Sequence, residues 1–534
     1  MAARPARHSH PRAVSLRVLA LSFCVLAVLC QPVLAQQTKK LPSAEKIVDN
    51  YLKAIGGKKQ ASSIRDATYD WTIQLKDQPM GLAKVQFKAP GSQRLEMTFG
   101  NGQIISAANP RSAWIRGLDG EVRTLTGPEA AAAKLQAALD VAHLVNYKKA
   151  NVLARVVALD NLASGSAYTV EFSSRGGARL RYLFSTTTKF LLGIQDDARK
   201  TVTWFEDYRP EGNIIEPHIL RINPGGTGEL TFRLQRVSYN SGVASAVFDP
   251  PRSAEALDVV TLLREVSRNQ DAVEKRVTEY SFLQKETQRE IDGKGVVKKE
   301  TVKVIEVFPL PNRRPIEKLI SENGVALSGD RAAKEEKRVQ EEFLKAERDK
   351  DKDAQKAAER RAQREREKAA KEQAGDEDVE LSQFFRNCEF VSPRRERFQD
   401  RDAVVFDFRA RPGFKPSTRQ ESLISKLVGV VWIDPLDKQV IRLEARLAEG
   451  FKMAGGLLLS LRPGAALVME QMRLPEGIWM PRFAQINLSV KVLLFGGGDI
   501  NRTNEWSDYK HFSADVDSYK LGVPKIEEAP SKKP

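Results

Sequence analysis

The stretch Trp204–Pro217, WFEDYRPEGNIIEP, is written a second time as Val468–Pro481, VMEQMRLPEGIWMP. Glu206, Arg209, Gly212 and Pro217 answer to Glu470, Arg473, Gly477 and Pro481, with a one-residue slip each way. Each copy reads as strand, tight turn, strand. The aromatic and branched runs favour extended backbone, and Pro-Glu-Gly supplies a fixed φ followed by a residue free to take φ > 0. A repeated hairpin carries no chemistry by itself, but it points to a duplicated β module.

The flanks agree in the same order. Ala167–Phe172 (AYTVEF) matches Ala403–Phe408 (AVVFDF) as Ala, apolar, any, apolar, acid, Phe. Next, Arg181–Ile194 (RYLFSTTTKFLLGI) matches Val430–Leu443 (VVWIDPLDKQVIRL): a strand, a polar turn with Lys189 or Lys438 near its end, and a second apolar strand. Three blocks in one order make two homologous modules the expectation.

Residues 1–35 read as a secretory signal. Arg4, Arg7, Arg12 and Arg17 precede the apolar run Val18–Leu29, and Val33-Leu34-Ala35 ends in a small residue at the cleavage position. Cys30 follows Val28-Leu29 without the small residue a lipoprotein signal needs, so no lipid anchor is expected. Cleavage after Ala35 lowers the formal net charge from +16 to +12 and leaves Cys388 as the one cysteine. An exported chain with one thiol has no internal disulfide, so burial must hold each module together.

The first module spans 41–251. Ser43 is a good N-cap, Ile47, Val48, Tyr51, Leu52 and Ile55 share a helical face, and Gly56-Gly57 stops the helix. From Ala67 the period changes to two, with Asn101-Gly102 and Asp119-Gly120 as hairpin turns. Gly127-Pro128 opens a second helix. The second module spans 252–512 and repeats a helix followed by alternating strands, with a tail at 513–534. The expected class is α+β, mainly antiparallel β: two tandem incomplete, half-open barrels with covering helices.

Two segments of the second module stand apart. Residues 331–374 hold 27 charged residues of 44, 15 basic and 12 acidic, with no Gly or Pro. Their large apolar residues are Val339, Phe343 and Leu344, so the segment reads as a solvated helical arm outside either core. Acids interleave its basic residues, which argues against nucleic acid. Residues 448–469 are the most apolar of the mature chain, and Gly455-Gly456 and Arg462-Pro463-Gly464 interrupt them. They read as either a central strand or a rim over an open groove. Gly496-Gly497-Gly498 reads as a flexible turn.

Motif chemistry is lacking. The three histidines of the mature chain, His143, His218 and His511, lie far apart. No HExxH, paired-Cys, GxSxG, P-loop or dinucleotide fingerprint occurs. No catalytic residue, metal or cofactor is expected.

The helix ending in Ala-Ile-Gly-Gly, the segment Phe87–Met97, the Phe184–Lys189 turn and the Asp207-Tyr208-Arg209…Gly212…Pro217 hairpin resemble the LolA/LolB-like proteins, the outer-membrane lipoprotein-sorting family. The likeness covers most of the first module and extends to the second through Val404–Pro481. It implies an incomplete antiparallel barrel that binds lipid or lipoprotein acyl chains in the periplasm. The family's carrier has Arg before the Pro of its KxP segment and an aromatic residue three beyond it, where this chain has Ala89 and Gln93. On this reading Trp71, Phe87, Leu95, Trp114 and Trp204 are groove candidates in the first module, and Trp432, Leu458, Met469, Met472 and Trp479 in the second. The family's relatives also include a two-domain periplasmic regulator, so an envelope sensor or scaffold that meets a protein partner through 331–374 is the alternative expectation.

Overall fold

The computed structural model describes residues 41–140, 144–174, 176–223, 228–252, 258–277, 279–292, 296–310, 314–348, 384, 387–453, 459–492 and 496–511. The expected signal segment, the remainder of the charged segment from 349 to 374, Leu458 and the tail lie outside the described residues.

Alternating sequence produces two large open antiparallel sheets. The first contains β1 (Asp66–Leu75), β2 (Gln78–Lys88), β3 (Ser92–Phe99), β4 (Gly102–Ala108), β5 (Ala113–Arg116), β6 (Val122–Thr124), β7 (Leu153–Leu162), β8 (Gly165–Ser173), β9 (Arg179–Ser185), β10 (Leu191–Asp196), β11 (Thr201–Glu211), β12 (Ile214–Asn223) and β13 (Leu230–Tyr239). Its order is β6-β5-β4-β3-β2-β1-β13-β12-β11-β10-β9-β8-β7. The second contains β14 (Tyr280–Ile291), β15 (Val297–Phe308), β16 (Ile316–Glu322), β17 (Val325–Ala326), β18 (Cys388–Phe398), β19 (Arg401–Ala410), β20 (Leu427–Asp434), β21 (Gln439–Leu447), β22 (Phe451–Met453), β23 (Leu459–Leu461), β24 (Ala466–Arg473), β25 (Trp479–Val492) and β26 (Gly496–His511). Its order is β17-β16-β15-β14-β26-β25-β24-β21-β20-β19-β18, with β22 and β23 off this path.

The two orders superimpose. β14–β17 occupy the places of β1–β4, and β18–β21, β24, β25 and β26 occupy those of β7–β13. The repeated sequence blocks fall on β8 and β19, on β9–β10 and β20–β21, and on β11–β12 and β24–β25. Details follow: Gly212 and Gly477 take φ of 63° and 85° in their turns, and Lys189 and Lys438 take φ of 67° and 54°. Each of these lysines donates from Nζ to the carbonyl three residues before it, Thr186 or Pro435.

Helices recur in register with the strands. α1 (Ala44–Ala54) and the short α2 (Lys58–Ser63) precede β1, and α3 (Gly127–Asp140) joins β6 to β7. α4 (Val259–Val277) precedes β14, and α5 (Gly329–Arg348) lies between β17 and β18. The start of the charged segment therefore takes the place of α3. Val339 and Phe343 are buried against Phe308 and Ile316, so its first turns belong to the second core rather than to an exposed arm. Two apolar residues one turn apart suffice for this packing, although the helix surface is otherwise charged. A capping box of Thr418 and Glu421 starts α6 (Arg419–Ile424).

The interrupted apolar segment forms the β22–β23 hairpin, and β23 pairs with β25. Leu461 packs with Leu447, Phe451 and Ala465. Gly496–Gly498 are not a turn but the first residues of β26, opposite Val490–Val492. Cys388 is free and buried beside Phe384 and Phe408, and burial pushes its thiol up to about 12.

The sheets meet through a buried polar junction. Glu396 accepts from the Thr124 amide at 2.7 Å and from its hydroxyl at 2.6 Å. Arg394 pairs with Glu396 at 2.7 Å and with Asp407 at 3.1 Å, and these three side chains are 2%, 3% and 0% exposed. Ser112 Oγ donates to Asp407 at 2.6 Å, and Arg446 to the Pro110 carbonyl at 2.6 Å. Buried charges must be matched in this way, because an unpaired one is costly.

Candidate functional site

Residues directly opposite on neighbouring antiparallel strands project to the same side of a sheet. Tyr69 faces Val85, Ala67 faces Phe87, and Val85 faces Leu95. This side of the first sheet lies beneath α1, whose Ile47, Val48, Tyr51, Leu52 and Ile55 are buried in one cluster with Tyr69, Trp71 and Ile73. Ser43 Oγ caps the helix by accepting from the Lys46 amide at 3.3 Å. Its other end is pinned to the repeated hairpin: the Ile215 amide donates to the Ile55 carbonyl at 2.9 Å. Gly56 has φ of 119°, and a Cβ there would sit 2.3 Å from the Asn213 carbonyl oxygen. The Gly-Gly of the helix stop is thus a close approach to the Pro-Glu-Gly turn, which no side chain permits.

A polar centre lies inside this apolar cluster. Tyr69 and Tyr239 each donate a phenol hydrogen to Oε1 of Glu216, both at 2.7 Å. Burial, and next the charge of Glu216, raise both phenol pKa values, so they remain protonated donors. Trp71 stacks on Tyr69 with ring centroids 6.3 Å apart. Its buried Nε1 has no hydrogen-bond partner among the described residues. The arrangement is a helix-covered apolar face with one paired carboxylate and one donor to spare.

The ten sequence candidates separate. Trp71, Phe87 and Leu95 come together beneath α1. Trp114 lies on the opposite side, opposite Ala107 in the ladder. It donates to the Phe248 carbonyl at 3.0 Å. Trp204 pairs with Gly193 and Gly193 with Leu183, again away from α1. In the second sheet α4 covers Val404, Phe406, Val431 and Ile433. Trp432 and Trp479 belong to the other side, with Val405 and Ile441. Arg442 and Arg401 lie over their rings at 5.9 Å and 5.4 Å. Met472 packs with Tyr280, Leu474 and Met480. Met469 is opposite Leu443, on the side of α4. Leu458 lies outside the described residues. Among the described residues, the second set is divided between the two sides of its sheet.

Tyr69, Glu216 and Tyr239 were not among the sequence candidates. A signal existed: Glu216 is the one acid in IIEPHIL, where apolar residues surround it. The second copy has Met480 before its closing Pro481. There the carboxylate is absent, and the Tyr509 hydroxyl donates to the Pro481 carbonyl at 2.7 Å instead.

Among the described residues no three or more His, Cys, Asp or Glu side chains converge as a metal site. No described helix is long and apolar enough to cross a membrane.

Comparison with known proteins gives structural likeness only. No protein-family model matches, and no curated protein matches. Among solved structures, the chain is similar to a LolA superfamily protein from Nitrosomonas europaea, at 10% identity and a TM-score of 0.28 over 39% of this chain and 98% of that one. It is also similar to a protein in the MucA/MucB complex of Pseudomonas aeruginosa, at 6% identity and a TM-score of 0.18 over 86% of this chain and 94% of that one.

Proposed function

We propose that this chain is an exported, non-enzymatic binding protein whose first sheet holds an acyl chain between α1 and the inner side of β1–β3. Trp71, Phe87 and Leu95 line the chain, and α1 moves aside to admit it. The observation that carries the proposal is the unpartnered Nε1–H of Trp71 inside an otherwise apolar, helix-covered cluster. A buried donor left without an acceptor costs about 1–3 kcal/mol. An ester or amide carbonyl at the head of an acyl chain removes that cost, while the tail displaces no polar contact. The expected signal segment supports an address in the periplasm.

The test is to purify the full-length exported protein, extract it with organic solvent, and identify bound species by mass spectrometry. Acyl lipids or acylated peptides recovered from the native protein, and depleted in Leu95→Asp, support the reading. A folded wild-type protein that yields no acyl species and takes none up from a labelled fatty acid overturns it.

A further inference from the structure

The inner side of the second sheet carries a cavity of about 460 Å³ whose chemistry is unlike that beneath α1. It lies within the range of small-ligand sites, about 300–1,000 Å³. β14 contributes Glu286, Gln288 and Glu290, and β15 contributes Lys299, Thr301 and Lys303. Each is directly opposite a partner: Glu286 with Lys303, Gln288 with Thr301, Glu290 with Lys299. Glu322, opposite Lys303 on β16, closes one end. This is the side that α4 covers elsewhere in the sheet. Leu443 faces Met469, Met469 faces Ala484, Ala484 faces Asn504, and Asn504 faces Glu286.

We infer that this cavity binds a saccharide, a neutral ligand rich in hydroxyl groups. Glu286, Glu290 and Glu322 stand among Lys299 and Lys303, with Arg502 and Arg331 paired to Glu286 and Glu322, so the wall mixes both signs and no uniformly basic surface is presented to a phosphate or other anion. The lysines standing between the carboxylates disfavour a bare cation, and no apolar side chain lines the cavity for a lipid tail. A sugar hydroxyl both donates and accepts. It therefore matches a wall on which acceptors (Glu286, Glu290, Glu322) alternate with donors (Lys299, Lys303) and with groups that do both (Gln288, Thr301). Among the described residues no ion pair within 4.0 Å joins Lys303 to Glu286 or Lys299 to Glu290, so both lysines are open to an incoming ligand, while Arg502 lies 3.7 Å from Glu286 and Arg331 3.2 Å from Glu322. An aromatic plate stands alongside. Trp506 faces Gln284 on the same side of the sheet, one inward position before Glu286. Its Nε1 donates to Gln284 Oε1 at 3.2 Å, which fixes a half-buried ring where a pyranose can stack its C–H face.

The experiment titrates full-length protein with maltohexaose, cellohexaose and chitohexaose by calorimetry. In parallel it measures binding to phosphatidylcholine vesicles with and without digalactosyl diacylglycerol. Binding of a soluble oligosaccharide identifies a free glycan source. Binding confined to the galactolipid vesicles identifies a lipid-borne headgroup. In either case Gln288→Ala/Thr301→Ala weakens association at least about tenfold, each neutral hydrogen bond being worth a factor of about five. Trp506→Ala weakens it comparably, Trp506→Phe keeps most of it, and Lys285→Ala, on the opposite side of β14, leaves it unchanged. Circular dichroism of each variant checks that the sheet is intact. Absence of binding to every probe, or equal binding by wild type and the Gln288/Thr301 variant, overturns the inference.

Discussion

The inner sides of β1–β3 and β14–β16 are the same surface built twice and filled with different chemistry. In the first sheet it presents Tyr69, Trp71, Val85, Phe87, Leu95 and Met97 to a helix. In the second the corresponding strands present Glu286, Gln288, Lys303 and Glu322 to an open polar hollow. The outer sides differ in the reverse sense. Glu171 and Asp407 are equivalent acids on β8 and β19, each paired with an arginine from the preceding strand. Arg155 is 33% exposed against Glu171, whereas Arg394 and Asp407 are sealed in the junction. A backbone ladder is specified by alternation and turns, so duplication preserves it. Side chains pointing into cavities are free to diverge, because the ladder does not depend on them.

The strongest test of that contrast is charge removal at the two equivalent acids. Arg394→Ala leaves Glu396 without its cation and Asp407 with only Arg111, 3.5 Å away, in a closed junction, an expected loss of about 3–5 kcal/mol. Arg155→Ala is expected to cost less, about 1–2 kcal/mol, because Arg155 is one-third exposed and the buried Glu171 keeps Arg181 at 3.8 Å. Chemical denaturation of both variants checks this, and equal losses would break the comparison.

Phe343→Ala comes next. If α5 is the working equivalent of α3, truncating its buried ring costs about 3 kcal/mol and opens the helix to trypsin. If the helix only rests on the surface, neither the unfolding midpoint nor the cleavage rate changes.

Tyr69→Phe removes one donor from Glu216 and is expected to cost about 1.5–3 kcal/mol, as for hydrogen bonds to charged groups. Its pH dependence sharpens the point. The folded phenol pKa is raised above its unfolded value of about 10. The stability it contributes is therefore fully present below pH 10 and is lost as pH rises beyond it. Denaturation followed from pH 8 to 11 should show a shallower alkaline loss in Tyr69→Phe than in wild type.

The smallest effect concerns a glycine. Gly57 has φ of 98° and open space around a Cβ, so Gly57→Ala is expected to cost about 1 kcal/mol from backbone strain alone. Gly56→Ala adds the clash with Asn213 and must exceed it. The reverse ranking would mean that α1 does not sit against the repeated hairpin.

Much of the architecture was legible because it resides in periodicity. The three repeated blocks fall on equivalent strands, and the Gly-Gly stop, the Asn-Gly and Asp-Gly turns and the Gly-Pro helix start all fall where those residues are needed. The candidate site was legible only in part. Whether a tryptophan faces in or out depends on strand parity, and register shifts such as those at Asp70/Trp71 and Glu470/Gln471 reset it. Trp114, Trp204, Trp432 and Trp479 all face away from the covering helices. The junction was invisible for another reason. Nothing in the sequence of Ser392–Phe398 marks its charges as buried, and only the neighbouring sheet dries them. The packing of α5 escaped notice because two residues among many charges make no stripe in sequence.

The pairing of first strand with last has a kinetic consequence. Most ladders here join strands adjacent in the chain, but β1 meets β13 with Ala67 opposite Tyr239, and β14 meets β26 with Tyr280 opposite His511. Hairpins can form as soon as both arms are free, whereas each such seam must wait until its whole module is present and must close a long loop. A chain emerging N-terminus first would pair β1 with β2 early but hold the other edge of β1 open until β13 follows. For that interval the nascent half-sheet is a client for whatever holds unfolded chains in its compartment.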